Sequence, residues 1–399
     1  MQIHPLITTT AALTDLCARL AKSEFVCVDT EFMRENTYWP ELCLVQIADE
    51  NEAAAIDPLA EGIDLKPLLD LMCENEEVLK VFHAGGQDVE IVYNLTGKTP
   101  HPIFDTQIAM MAVSQSEQIG YANLVESWLG FTVDKGARFT DWSRRPLTER
   151  QIEYAIGDVT HLAKIFPRLL KKLIKTGRGA WLDAEMDKLA DPANYANDSG
   201  QAWKRIRSTG RNLTVLGRLK ALAAWRESEA QHKNIPRGRI IRDETLADIA
   251  SHPPKSQGDL AKVRGLSNAW KDNDIGKRLL KVIEKAEPLH KDELPERGTP
   301  GAPLGKEGAL VADLLKLLLK IRAREIDVAA RLLTRADEME ALAAGVRDLP
   351  VLQGWRYDVC GKDALALVEG KMAFAVKHGR LAMTRIEAAL PEVPAEAAE

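Results

Sequence analysis

The chain has 399 residues, 45% hydrophobic and 28% charged, with a net charge of -6, the composition of soluble globular protein with roughly two to four domains. Its five cysteines, Cys17, Cys27, Cys43, Cys73 and Cys360, are scattered and never form a CxxC, which argues against a disulfide framework and a zinc site. The N-terminus MQIHPLITTT has no basic segment leading into an apolar core, and no apolar run is long enough to cross a bilayer, so the expectation is a cytoplasmic protein without a membrane partner.

Up to about residue 170 strands and helices mix. The runs FVCVDTEF, CLVQIAD, AAAIDP and VLKVFHAG are short, rich in β-branched and aromatic residues and bounded by acids, Gly or Pro, which predicts strands. Between and after them LLDLMCENE, DVEIVYNLTG and ERQIEYAIGDVTHLAKIFPRLLKKLIKTG carry helical spacing, the last ending in Lys171, Lys172, Lys175 and Gly177. This is an α/β or α+β layer domain over 1–170. Residues 171–210 finish that helix and continue into the breaker-rich stretch DPANYANDSGQ, a connection.

From about 211 the strands stop. LTVLGRLKALAAWRESEAQHK, DETLADIAS, SQGDLAKVRG and NDIGKRLLKVIEKAE predict a small bundle of amphipathic helices over 211–290. A Pro- and Gly-dense linker follows at 291–304, then ALVADLLKLLLKIRAREIDVAARLL, DEMEALAAG and GKDALALVEGK repeat the all-helical pattern over 305–385. The tail 386–399 predicts disorder. Charge divides with the modules: residues 1–200 hold 18 basic and 31 acidic side chains, residues 201–290 hold 19 and 10, and the remainder 16 and 18. The middle module is thus basic on an acidic protein, a pattern suited to a polyanion, though a bundle with solvated Lys and Arg would look the same.

The chemistry begins in FVCVDTEF. Alternation on a strand turns Asp29 and Glu31 to one side, and two buried like charges need a cation unless they lie at the wet end of an ordinary strand. Two further segments supply acids: Asp88 follows a Gly-Gly turn at the start of a helix, and Tyr154 and Asp158 lie one turn apart on another. Each has a bland reading, Asp88 as a helix-start acid and Tyr154–Asp158 as a packed ring beside a solvated acid. Together they form an ordered set of oxygen ligands without His or Cys, which suits Mg²⁺ or Mn²⁺. Two such ions can clamp the attacking and leaving oxygens of a phosphodiester.

VDTEF, HAGGQDVEIV and YAIGDV, in that order, resemble the three motifs of the DEDD exonuclease superfamily in its tyrosine-bearing branch. FMRENTYWPELCLVQIA, HPIFDTQIAM and DWSRRPLTERQIEYAIGDV narrow the resemblance to the ribonuclease D family, and the modules after 211 and 305 are similar to the HRDC (helicase-and-RNase-D C-terminal) domain. The resemblance implies a ribonuclease H-like α/β domain, a mixed sheet flanked by helices, followed by two small all-α HRDC-type bundles. It implies a 3'-5' exoribonuclease that releases 5'-nucleoside monophosphates from RNA with a free 3' end, such as transfer RNA precursors and other small structured RNAs, with no obligate protein partner. Asp29, Glu31, Asp88 and Asp158 would hold two Mg²⁺ ions, or Mn²⁺, directly or through water, and Tyr154 would orient the attacking water. In the basic module Arg237, Arg239, Arg242, Lys262 and Arg264 are candidates to grip RNA backbone, against the alternative that they are solvated charges on a supporting module. A proofreading-type DNA exonuclease and a non-catalytic RNA-binding protein on the same fold are the rival readings.

Overall fold

The computed structural model describes residues 1–134, 136, 140–207, 210, 212–266, 270, 273–294 and 304–386. Most of the expected linker at 291–304 and all but the first residue of the expected tail at 386–399 lie outside them. Residues 1–105, 121–167 and 186–295 form one compact unit, and 106–120, 168–185 and 296–399 another.

The chain begins with β1 (Gln2–Ile3), α1 (Thr10–Leu20), β2 (Phe25–Met33), β3 (Glu41–Ala48), β4 (Glu52–Ile56), α2 (Lys66–Cys73), β5 (Leu79–Phe82), α3 (Gly86–Thr96) and β6 (Ile103–Asp105). It continues through α4 (Thr106–Met110), α5 (Tyr121–Leu129) and the long α6 (Glu149–Thr176). The six strands form one mixed sheet in the order β1-β4-β3-β2-β5-β6, with β2 antiparallel to β3 and parallel to β5. Alternation gives β2 two different faces. Val26 and Val28 join Val45, Ile47, Leu13, Leu16, Leu68, Met72 and Val89 in a core against α1, α2 and α3. Phe25, on the other face, packs on Phe166 of α6 at 4.7 Å between ring centroids.

The basic module is built from α8 (Leu213–Lys233), α9 (Arg237–Ile240), α10 (Asp243–Ser251), α11 (Gln257–Leu260) and α12 (Asp274–Glu284), after α7 (Asp183–Ala190) in the connection. Asn212 starts α8 by accepting from the N–H groups of Thr214 and Val215 at 3.0 and 3.3 Å. The bundle closes on Trp203, Leu216, Leu219, Leu222, Leu246, Ile249, Leu260 and Leu279. A fully buried leucine such as Leu222 contributes about 2 kcal/mol. Gly217 permits the closest approach, since a Cβ there would lie 1.9 Å from the Glu287 carbonyl oxygen.

In the other unit α13 (Lys306–Glu325), α14 (Ala330–Leu333), α15 (Ala336–Ala343), α16 (Gly354–Arg356) and α17 (Lys362–Val368) enclose a core of Leu315, Leu318, Leu333, Met339, Leu342 and Cys360. Two features differ from the sequence expectation. The long helix expected over ALVADLLKLLLKIRAREIDVAARLL breaks after Glu325, because Asp327 takes a left-handed conformation at φ 54°. The helical module also carries a hairpin, β7 (Met372–Lys377) and β8 (Arg380–Arg385), joined by His378 and Gly379 at φ 52° and 71°. A two-residue turn with both φ positive matches the twist of paired strands, so KHGR between alternating apolar residues closes a hairpin.

Candidate active site

β2 is the central strand of the acidic site. Asp29 is paired with Gln46 and Glu31 with Leu44 across β3, and a bulge between Glu31 and Phe32 ends the regular ladder. The third acid comes from α6, whose start is fixed by a capping box. The Thr148 N–H donates to Gln151 Oε1 at 3.0 Å, and the Gln151 N–H donates back to Thr148 Oγ1 at 3.3 Å. From that origin Tyr154 and Asp158 fall on one face. Tyr121 of α5 pins the same turn by donating to the carbonyls of Gly157 and Asp158 at 2.9 and 2.6 Å. The result brings carboxylate oxygens of Asp29, Glu31 and Asp158 within 4.8 Å of one another.

Asp88, the fourth expected ligand, is not among these three converging carboxylates: it lies across β2 from them, near enough for the Asp29 charge to act on it. It lies in the first turn of α3, almost wholly buried, and accepts a hydrogen bond from the hydroxyl of Thr30, the residue between the two acids of β2. The turn that aims α3 is held by Asp105, whose carboxylate accepts from the N–H groups of Ala84 and Gly85 at 3.2 and 2.8 Å. Gly85 has no alternative there, since a Cβ would sit 2.5 Å from that of Phe82. Sequence reasoning missed Asp105, Thr30 and Tyr121; the only signal for Thr30 is its place inside VDTEF.

Around Tyr154 the segment DWSRR wraps back on the sheet. Arg145 forms a paired salt bridge with Asp57 at 2.6 and 2.7 Å and donates to the Cys43 carbonyl at 2.6 Å. This anchors Trp142, nearly fully buried, with its ring 6.2 Å from that of Tyr154.

Burial and the neighbouring Asp158 charge push the Asp29 carboxyl well above the usual range, and burial and Asp29 do the same to Asp88. Such a cluster, all oxygen and all of one sign, fits one or more hard divalent cations. A stability test follows from the sign of the shifts. Above about pH 4 the unfolded chain loses these protons while the folded protein keeps them, so metal-free stability contributed by Asp29 and Asp88 falls as pH rises through their folded values. A divalent ion replaces the protons, so thermal melts should show Mg²⁺ raising the Tm more at pH 8 than at pH 5.5. Equal gains at both would remove cation binding from these carboxylates.

The five basic candidates lie apart from one another in role. Arg237 stacks over the Tyr38 ring at 5.8 Å with a nitrogen 3.8 Å from Glu227, and Arg239 donates to Asn36. Lys262 is exposed and paired with Asp259 at 3.3 Å, and Arg242 and Arg264 are exposed. Arg237 and Arg239 thus belong to a junction between α8–α9 and the loop after β2. There the Tyr38 hydroxyl donates to the buried Glu227, and Asn234 Oδ1 accepts from the N–H groups of Tyr38 and Trp39 at 3.1 and 3.0 Å.

Residues 5–174 match the family model described as a 3'-5' exonuclease, and residues 215–283 match that of the HRDC domain. The chain is 68% identical over 388 residues to a ribonuclease D of Sphingobium indicum, covering 97% of this chain and all of that one. It is 63% identical, with the same coverage, to a ribonuclease D of Zymomonas mobilis. Among solved structures it is similar to Escherichia coli RNase D, described as an exoribonuclease involved in structured RNA processing. That likeness has a TM-score of 0.73 at 30% identity and covers 92% of this chain and 99% of that one.

Proposed function

The chain belongs to the ribonuclease D family of 3'-5' exoribonucleases, and from that premise we propose that it trims RNA 3' ends one nucleotide at a time with two divalent ions held by Asp29, Glu31, Asp88 and Asp158. The observation that carries this reading is the convergence of carboxylate oxygens of Asp29, Glu31 and Asp158 within 4.8 Å, with burial and the Asp158 charge both opposing ionisation of Asp29. When bound, the ions supply charge neutralisation at the phosphodiester and lower the pKa of water towards neutrality.

The protein's own groups do the rest. Asp29, Glu31 and Asp158 provide anionic oxygens from two rigid elements, a central strand and a capped helix, so the ligand geometry is set before ions or RNA arrive. Asp88, oriented by Thr30, adds negative charge from the opposite side. The Tyr154 phenol accepts a hydrogen bond from the attacking water and holds it in line with the terminal phosphodiester, while packing against Trp142 limits the ring's movement. The products are a nucleoside 5'-monophosphate and an RNA shortened by one residue with a new 3'-hydroxyl.

The substrates on this reading are transfer RNA precursors and other small structured RNAs, met in the cytoplasm. Among the described residues no helix is long and apolar enough to cross a membrane. Arg242, Lys262 and Arg264 offer exposed charge to the RNA backbone, whereas Arg237 and Arg239 act first in joining the basic module to the catalytic domain. A 5'-labelled RNA and its DNA analogue, each incubated with and without Mg²⁺, provide the test. The expected result is a Mg²⁺-dependent one-nucleotide ladder on RNA; equal degradation of DNA, or internal cuts, would overturn the assignment.

A further inference from the structure

Gln46 is the described buried amide that lacks a hydrogen-bond partner at both its atoms, Oε1 and Nε2, and its exposure is 0%. A buried amide normally satisfies both ends, because leaving either one dry forfeits the bonds it made in water. Its place in the sheet is specific. Val45 and Ile47 point into the core beneath α1 and α2, so Gln46 points to the opposite face, the one that carries Cys27, Asp29 and Glu31. It is the direct cross-strand partner of Asp29, at a spacing that sets paired Cβ atoms about 5 Å apart.

The bland account is a polar residue stranded in a core, where Met or Leu would pack as well. That account leaves two facts unconnected: the unmet amide, and its position against the most crowded carboxylate of the site. A neutral amide suits this position better than a charged group. Lys or Arg there would neutralise Asp29 and stand in the cation's place, and another acid would add to the repulsion. An amide can donate through Nε2 and accept through Oε1 at once, which matches a carboxylate on one side and a water on the other.

We propose that Gln46 is a positioning residue of the catalytic centre, its amide orienting the Asp29 carboxylate and a water of the divalent ion that Asp29 holds. The inference rests on the assignment of Asp29, Glu31 and Asp158 as ion ligands. Outer partners of this kind fix the direction of a ligand's lone pairs, and their loss commonly weakens ion binding about 10- to 100-fold.

The test uses the full chain and its Gln46→Met variant, which keeps the length of the side chain and removes the amide. Mn²⁺ affinity is measured without RNA by electron paramagnetic resonance, and melting temperature is measured in EDTA and in saturating Mn²⁺. In EDTA the variant should melt at or above the wild-type temperature, because a stranded amide is gone. Its Mn²⁺ affinity should fall about tenfold or more, and its Tm gain at a fixed sub-saturating Mn²⁺ concentration should shrink. Unchanged affinity in the variant, with wild type binding normally, overturns the role of Gln46 alone. Failure of wild type itself to bind Mn²⁺ overturns the ligand assignment and this inference with it. Should the methionine variant not fold, Gln46→Leu carries the same expectations and the same two contrary outcomes.

Discussion

Asp29→Asn should reduce turnover by roughly 10³-fold or more, the loss of several kcal/mol of transition-state stabilisation at tenfold per 1.36 kcal/mol. The same variant should melt higher than wild type when both are free of metal. The two effects have one cause. Asp29 lies between Asp158 on its own face and Asp88 beyond the strand, and each raises the cost of another's charge. Removing the middle charge relaxes the folded protein and removes a carboxylate that would hold a divalent ion. Single-turnover assays on labelled RNA in Mg²⁺ check the first effect, and thermal melts in EDTA check the second. Near-normal activity would show that Asp29 holds no catalytic ion, and a lowered metal-free Tm would show that its charge is already compensated within the protein.

Tyr154→Phe should slow the chemical step about 10²-fold, the usual scale for a positioned proton-transfer partner, without altering metal affinity or Tm. The phenylalanine ring keeps the packing against Trp142, so only the hydroxyl is lost. Because the acids remain, Mn²⁺ titration should superimpose on wild type. Undiminished single-turnover rates would remove the phenol from the mechanism, and weakened Mn²⁺ binding would make Tyr154 a support for the acids instead.

Why were the four acids and the tyrosine legible in sequence when their supports were not? Acids in an apolar run are a local anomaly, and Asp29 and Glu31 share a face by strand period alone. Tyr154 and Asp158 share theirs by helix period. The supports act across long separations and look ordinary where they stand. Thr30 is a good strand former, and its use appears only when α3 delivers Asp88 to it. Asp105 reads as the end of a short strand until the turn at Ala84–Gly85 closes over it. Gln46 sits inside CLVQIAD, where a run of apolar neighbours hides which face it takes.

The helical modules show the converse. Periodicity identified α8, α10, α12 and α13, but the end of α13 depends on one backbone angle at Asp327 that no spacing announces. The hairpin β7–β8 alternates with period two and turns at HG, so its signal was present; the helical pattern on either side of it dominated the reading. Charge counting marks residues 201–290 as basic, yet it cannot distinguish an arginine facing solvent from Arg237 lying on Tyr38.

That junction changes how the protein can be taken apart. Tyr38 and Trp39 give their backbone N–H groups to Asn234, and Glu227 takes the Tyr38 hydroxyl, all through contacts nearly 200 positions apart in the chain. A truncation near residue 205 would strand those donors and uncover an aromatic ring on the loop that leaves β2. Lower activity in such a fragment would then report a disturbed loop as readily as a missing RNA grip. Modularity in the order of the motifs is therefore not modularity in the folded energetics, and the contribution of the basic module is measurable only with its junction left whole.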